Sequence, residues 1–66
     1  MEIKTVKDIN ICGMLIEKGS KITVHKDILS VETTRDNKPY RYPIILEGIG
    51  KTLSELVKEI NNLNNL

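Results

Sequence analysis

The chain has no Ala, no Phe and no Trp, one Cys, one His and no appreciable excess of either charge. Each absence excludes something. Ten Lys/Arg against nine Asp/Glu leave a net charge of +1, too little for a histone-like or polybasic protein held to nucleic acid by general attraction. No run of 18 apolar residues exists, which excludes a membrane-spanning helix. The opening Met1-Glu2-Ile3-Lys4-Thr5 is too polar for the apolar core of a signal peptide. Cys12 cannot form an internal disulfide alone, whereas small secreted domains are usually disulfide-dense. A cytoplasmic location is the expectation.

The same scarcity limits chemistry. One His and one Cys cannot supply four soft metal ligands, and Asp8, Asp27 and Asp36 do not follow a calcium-loop spacing. No metal and no cofactor is expected. His25, with Asp27 two residues on and Cys12 elsewhere, provides the residue types of a nucleophile–base arrangement but no spacing that would align them. A surface His and a packed Cys explain them more simply, so no catalytic residue is assigned. Two tyrosines without a tryptophan make a poor groove for proline-rich peptides.

What is present is β-branched. Ten Ile and four Val stand beside seven Leu and no Ala, a balance that favours pleated surfaces over helices. Sixty-six residues fit one small domain, which buries only about 60% of its unfolded surface. Stability must come from tight packing or from a partner chain, so a homodimer and a stable complex with a larger protein both fit.

Period-2 alternation places Ile3 inward near the start, Ile9 and Ile11 on one face, and Ile22 and Val24 opposite Lys21, Thr23 and His25. Gly13 interrupts the apolar run Cys12–Ile16, which suggests a bulge or bend. Glu17-Lys18-Gly19-Ser20 reads as a turn. Ile28–Thr34 reads as a strand, and Arg35-Asp36-Asn37-Lys38 as the strongest hairpin signal, since Asp and Asn tolerate left-handed backbone. Pro39 then places the following strand at a sheet edge.

Past Gly48 and Gly50 the period changes to 3.6. Leu53, Leu56, Val57, Ile60 and Leu63 fall on one helical face, and Thr52 with Glu55 makes a capping box. The helix is expected over about 52–62, with a frayed tail at 63–66. Gly48-Ile49-Gly50-Lys51-Thr52 ends like a phosphate-binding loop, but position 45 is Ile where that loop needs Gly. A plain strand-to-helix connection accounts for it.

These elements predict an α+β fold: a small curled antiparallel sheet, or an SH3-like open barrel, of four to five short strands with one C-terminal amphipathic helix. The SH3-like resemblance lies in element order and turn spacing alone. Within this frame, Arg35, Lys38, Tyr40, Arg41 and Tyr42 concentrate basic and aromatic side chains on one hairpin. Tyr and Arg dominate protein–protein hot spots. The reading is therefore a non-enzymatic interaction module, a regulator or inhibitor of the kind found in phages and mobile elements. It would occlude a larger protein partner through this hairpin and its exposed edge. Basic and aromatic residues together also serve single-stranded nucleic acid. The alternative is accordingly a small nucleic-acid-binding domain using the same hairpin with Lys21, His25 and Lys26. Arg41 alternates away from the two tyrosines, which weakens that alternative.

Overall fold

A computed structural model describes residues 1–66. The order is β1 (Glu2–Lys4), β2 (Ile9–Ile11), β3 (Met14–Ile16), β4 (Lys21–His25), β5 (Ile28–Arg35), β6 (Lys38–Ile44) and α1 (Leu53–Asn64). Every ladder is antiparallel. One sheet has the order β1-β4-β5-β6, and β2-β3 forms a separate two-stranded sheet.

There are six strands rather than four or five because Gly13 marks a turn, not a bulge. Cys12 (φ 50°) and Gly13 (φ 77°) are both left-handed, the conformation of a type I′ turn, whose twist matches that of the strands it joins. The apolar run around Gly13 is thus cut into two strands, with Ile11 opposite Met14. Asp36 (φ 52°) and Asn37 (φ 61°) build the same kind of turn between Arg35 and Lys38.

Register carries the hydrophobic pattern into a core. Ile3, Ile22, Val31 and Tyr42 stand in one cross-strand row on the inner face of the larger sheet, and Leu29 and Ile44 in the next. Ile9, Ile11 and Ile16 from the hairpin, with Leu56, Val57 and Ile60 from α1, complete a cluster of 11 buried residues, against which the half-buried Tyr42 packs. No ladder joins β2–β3 to the other four strands. The architecture is therefore two antiparallel sheets and a helix around one core, without a closed barrel.

Thr52 caps α1 as its spacing with Glu55 predicts. The Thr52 hydroxyl accepts from the Glu55 N–H at 3.1 Å, and the Glu55 carboxylate accepts from the Thr52 N–H at 3.0 Å. That second bond holds the Glu55 carboxyl below its ordinary range, because it favours the charged form. The far end differs from expectation. The helix runs to Asn64, and Asn64 is buried. The Asn-rich end is a weak helix former, but its side chains and carbonyls are tied to the start of the chain. Lys7 Nζ donates to the Leu66 carbonyl, and the Asn64 amide bonds the backbone beside β1.

Candidate functional site

Tyr40 and Tyr42 share a face of β6 with Lys38 and Ile44, while Pro39, Arg41 and Pro43 alternate to the other side. Tyr42 ends a core row, facing Val31, and is half-buried. Tyr40 lies one pair further out, opposite Thr33, and is 48% exposed. The rings are 5.7 Å apart between centroids and inclined at 43°, an arrangement suited to the quadrupoles of aromatic pairs.

Arg35 stands at the end of β5 on the same face. Its guanidinium carbon lies 4.8 Å from the Tyr40 centroid and 5.7 Å from that of Tyr42. One carboxylate oxygen of Glu17 accepts from Arg35 Nε at 3.0 Å and from Nη2 at 2.8 Å. These bonds raise the guanidinium pKa further above its already high value, so Arg35 is a permanent cation over the rings. Removal from water pushes the Tyr42 phenol above its ordinary value of 10.0, and the Arg35 charge partly offsets this.

Glu17 is placed by a buried polar knot. The Thr5 hydroxyl donates to the Glu17 carbonyl at 2.9 Å and accepts from the Ser20 N–H at 2.9 Å. Ser20 Oγ donates to the same Glu17 carbonyl at 2.6 Å. Thr5 and Ser20 are both buried, and no buried side-chain polar atom in the molecule lacks a partner. Gly19 (φ 86°) supplies the left-handed residue that the β3–β4 turn requires.

Between β3 and this cluster runs a shallow cleft of about 340 Å³, lined by Met14, Leu15, Arg35, Tyr40 and Tyr42. Met14 packs against the core, whereas Leu15, of opposite parity, is 49% exposed. A second concavity of about 320 Å³, lined by Lys51, Glu55, Lys58, Glu59 and Asn62, lies on the solvent face of α1 and has no apolar side chain. Lys51 there donates to Glu59.

Of the five hairpin residues singled out from the sequence, Arg35, Tyr40 and Tyr42 come together and Lys38 shares their face. Arg41 does not join them. It stands on the outer face in the row Lys21–Glu32–Arg41. Met14, Leu15 and Glu17 escaped the sequence reading, because only the folding of β2–β3 toward β5–β6 brings them near. The parity of Leu15, apolar yet opposite to Met14 and Ile16, was the one available signal.

Pro39 does lie on an edge strand, but that edge is closed. The two-residue turn makes Arg35↔Lys38 a hydrogen-bonded pair, and such pairs then alternate along the ladder. Pro39, Arg41 and Pro43 therefore point their backbone groups outward, and both prolines lack the N–H that an added strand would need. Within β6 only Arg41 offers an outward donor. The edge expected to template a partner is blunted.

His25 is exposed at the end of β4, Asp27 lies in the β4–β5 turn and Cys12 is an exposed free thiol on the β2–β3 turn. No three His, Cys, Asp or Glu side chains converge in a metal-holding group. No helix is long and apolar enough to cross a membrane. No known family, no curated protein and no solved structure matches the chain.

Proposed function

We propose that this chain is a non-enzymatic protein-interaction module, a small regulator or inhibitor that occludes a larger protein through the Arg35–Tyr40–Tyr42 cleft. One observation carries the reading: Arg35 lies across two tyrosine rings and is fixed there by Glu17. Rigid aromatic and Arg groups bind with little ordering cost and dominate protein hot spots. Leu15 and Tyr40 add exposed apolar surface on either side, and Lys38 provides a cation at the rim. The scaffold that presents them is, on this reading, an open barrel of SH3-like kind.

Nucleic acid fits less well. Arg41 faces away from the rings, and Arg35 is partly neutralised by Glu17, so the cations beside the tyrosines are too few to track a phosphate backbone. A photo-crosslinking benzoylphenylalanine at position 40 tests the proposal in the cell of origin, with position 41 on the outer face as control. The expected result is a protease-sensitive adduct at 40 and none at 41. A nuclease-sensitive adduct at 40 assigns the site to nucleic acid, and adducts only at 41 move it to the outer face.

A further inference from the structure

We infer that the cleft takes an extended segment of a partner protein, added as a strand along the free edge of β3 with an acidic residue directed at Arg35 and Lys38. This rests on the interaction-module reading and deepens it. The cleft is lined by Met14 from one face of β3 and Leu15 from the other, but by nothing from β2. Such a lining is met only by a cleft that runs past the free edge of β3. On that edge the backbone of Leu15 is unpaired. The type I′ turn makes Ile11↔Met14 a hydrogen-bonded pair, so Asn10↔Leu15 is a pair whose amides point outward. Leu15 N–H and C=O find no other partner in the fold.

The other edges of the sheets are each obstructed in part. Pro39 and Pro43 remove donors from β6, the Asn64 amide occupies the edge beside β1, and α1 packs on β2. Edge strands are ordinarily blunted against unwanted pairing. The β3 edge carries no proline, side-chain amide or helix against it, and it lies beside two tyrosines. Strand addition draws affinity from backbone bonds and selectivity from alternate side chains in pockets. One side of an added strand would meet Leu15 and Tyr40. Charge sets the rest. Arg35 has five N–H donors and gives two to Glu17, and Lys38 has no ion-pair partner. Asp36, in the turn between them, pairs with neither, so the free donors of Arg35 in the cleft and of Lys38 beside it suit a carboxylate on the incoming segment.

The test pans a random-peptide phage library against the full chain and, in parallel, against Leu15→Pro. Proline deletes the outward N–H, as Pro39 and Pro43 do on β6, but takes the Leu15 side chain with it, so Leu15→Ala, which keeps the N–H, is measured beside it. Peptides enriched on the parent chain are expected to alternate apolar residues and carry an acidic one. The selected peptides should bind Leu15→Pro roughly tenfold more weakly than Leu15→Ala, about the worth of one hydrogen bond. In the parent chain they should slow exchange of the Leu15 amide, a readout that stands even if the proline variant fails to fold. Peptides that bind, lose affinity in Tyr40→Ala, yet leave the Leu15 amide exchanging freely overturn strand addition while the interaction-module reading survives. No enrichment over Leu15→Pro overturns the inference. So does sedimentation showing a dimer of the chain alone with the Leu15 amide protected, which would give the edge to a second copy.

Discussion

Asn64 lies 60 residues from Lys4 in the chain, yet its side-chain Nδ2 donates to the Lys4 carbonyl at 3.1 Å. Its Oδ1 accepts from the Val6 N–H at 2.8 Å. Thr5 N–H bonds Ser20 on the β4 side, so the backbone groups of Lys4 and Val6 point to the open side. A carbonyl and an N–H two residues on are the pair that a neighbouring parallel strand residue would engage. The Asn64 amide therefore stands in for a strand residue and closes the edge of the sheet at Lys4–Val6.

Asn64→Ala should cost about 1–3 kcal/mol, because it leaves two partly buried backbone groups without partners. Chemical denaturation measures the loss. Hydrogen exchange at the Val6 amide should accelerate by more than global destabilisation explains, and exchange that merely follows global stability would show that the amide bond is not what protects it.

Leu56 is fully buried between α1 and the sheets. Leu56→Ala should cost about 2–5 kcal/mol, a large share of the stability of so small a domain. A thermal midpoint that barely moved would place the helix face outside the core. Thr52→Ala, which removes only the cap, should cost about 0.5–2 kcal/mol.

The helix and the β5–β6 hairpin were legible because their signals are local. Thr52 and Glu55 are three residues apart, the Leu/Val/Ile face repeats within two turns, and Asp36-Asn37 is itself the turn. What escaped was non-local. Asn64 reads as a helix weakener unless its contact with Lys4 is known, and Glu17 is 18 residues from Arg35. The Cys12-Gly13 turn carries a weak local signal, because Cys is seldom placed in left-handed backbone. Alternation puts Tyr40 and Tyr42 on one face, but which of them ends in the core depends on the row that each continues.

Backbone strain at turns offers a gain in stability. Lys26 is left-handed at φ 56° and Asn37 at φ 61°. Glycine carries no steric penalty there. Lys26→Gly and Asn37→Gly should each raise stability by up to about 1 kcal/mol, net of the extra freedom glycine brings to the unfolded chain. That corresponds to a rise in Tm of up to about 4–8 °C for a chain of this size. Gly13→Ala, at φ 77° with open space around it, should lower Tm by strain alone. Equal melting points across the set would mean that these turns relax freely.

Stability should be level through neutral pH and fall at both ends. The Tyr42 phenol is raised above 10.0 by burial, and the Lys51 ammonium above 10.5 by its bond to Glu59. A group whose pKa is raised on folding contributes stability that is present below its unfolded value and lost as pH rises through the folded one. Both therefore weaken the fold in alkali. The Glu55 carboxyl is lowered below 4.5 by its bond to the Thr52 backbone, so its contribution is present above 4.5 and lost as pH falls. In Tyr40→Phe, where Tyr42 is the only tyrosine, ultraviolet titration should give a midpoint above 10.0. A midpoint at or below 10.0 would mean that Tyr42 is not desolvated.

Pro39 and Pro43 occupy the positions on β6 whose N–H groups would face outward, and Arg41 between them keeps its donor. If these prolines hold the edge closed, replacing both should open it at no cost to the β5–β6 ladder, which never used those groups. Thr suits an exposed strand position and restores two donors. The double variant Pro39→Thr/Pro43→Thr should then present three consecutive outward amides and an apolar neighbour in Ile45, which is 69% exposed. Self-association is the expected result, growing with concentration in sedimentation velocity, because a long unprotected edge pairs with its own copy. Either single variant should associate more weakly than the double one. A double variant with the same sedimentation behaviour as the parent chain would show that the outer-face charges, with Arg41 at their margin, guard this edge without the prolines.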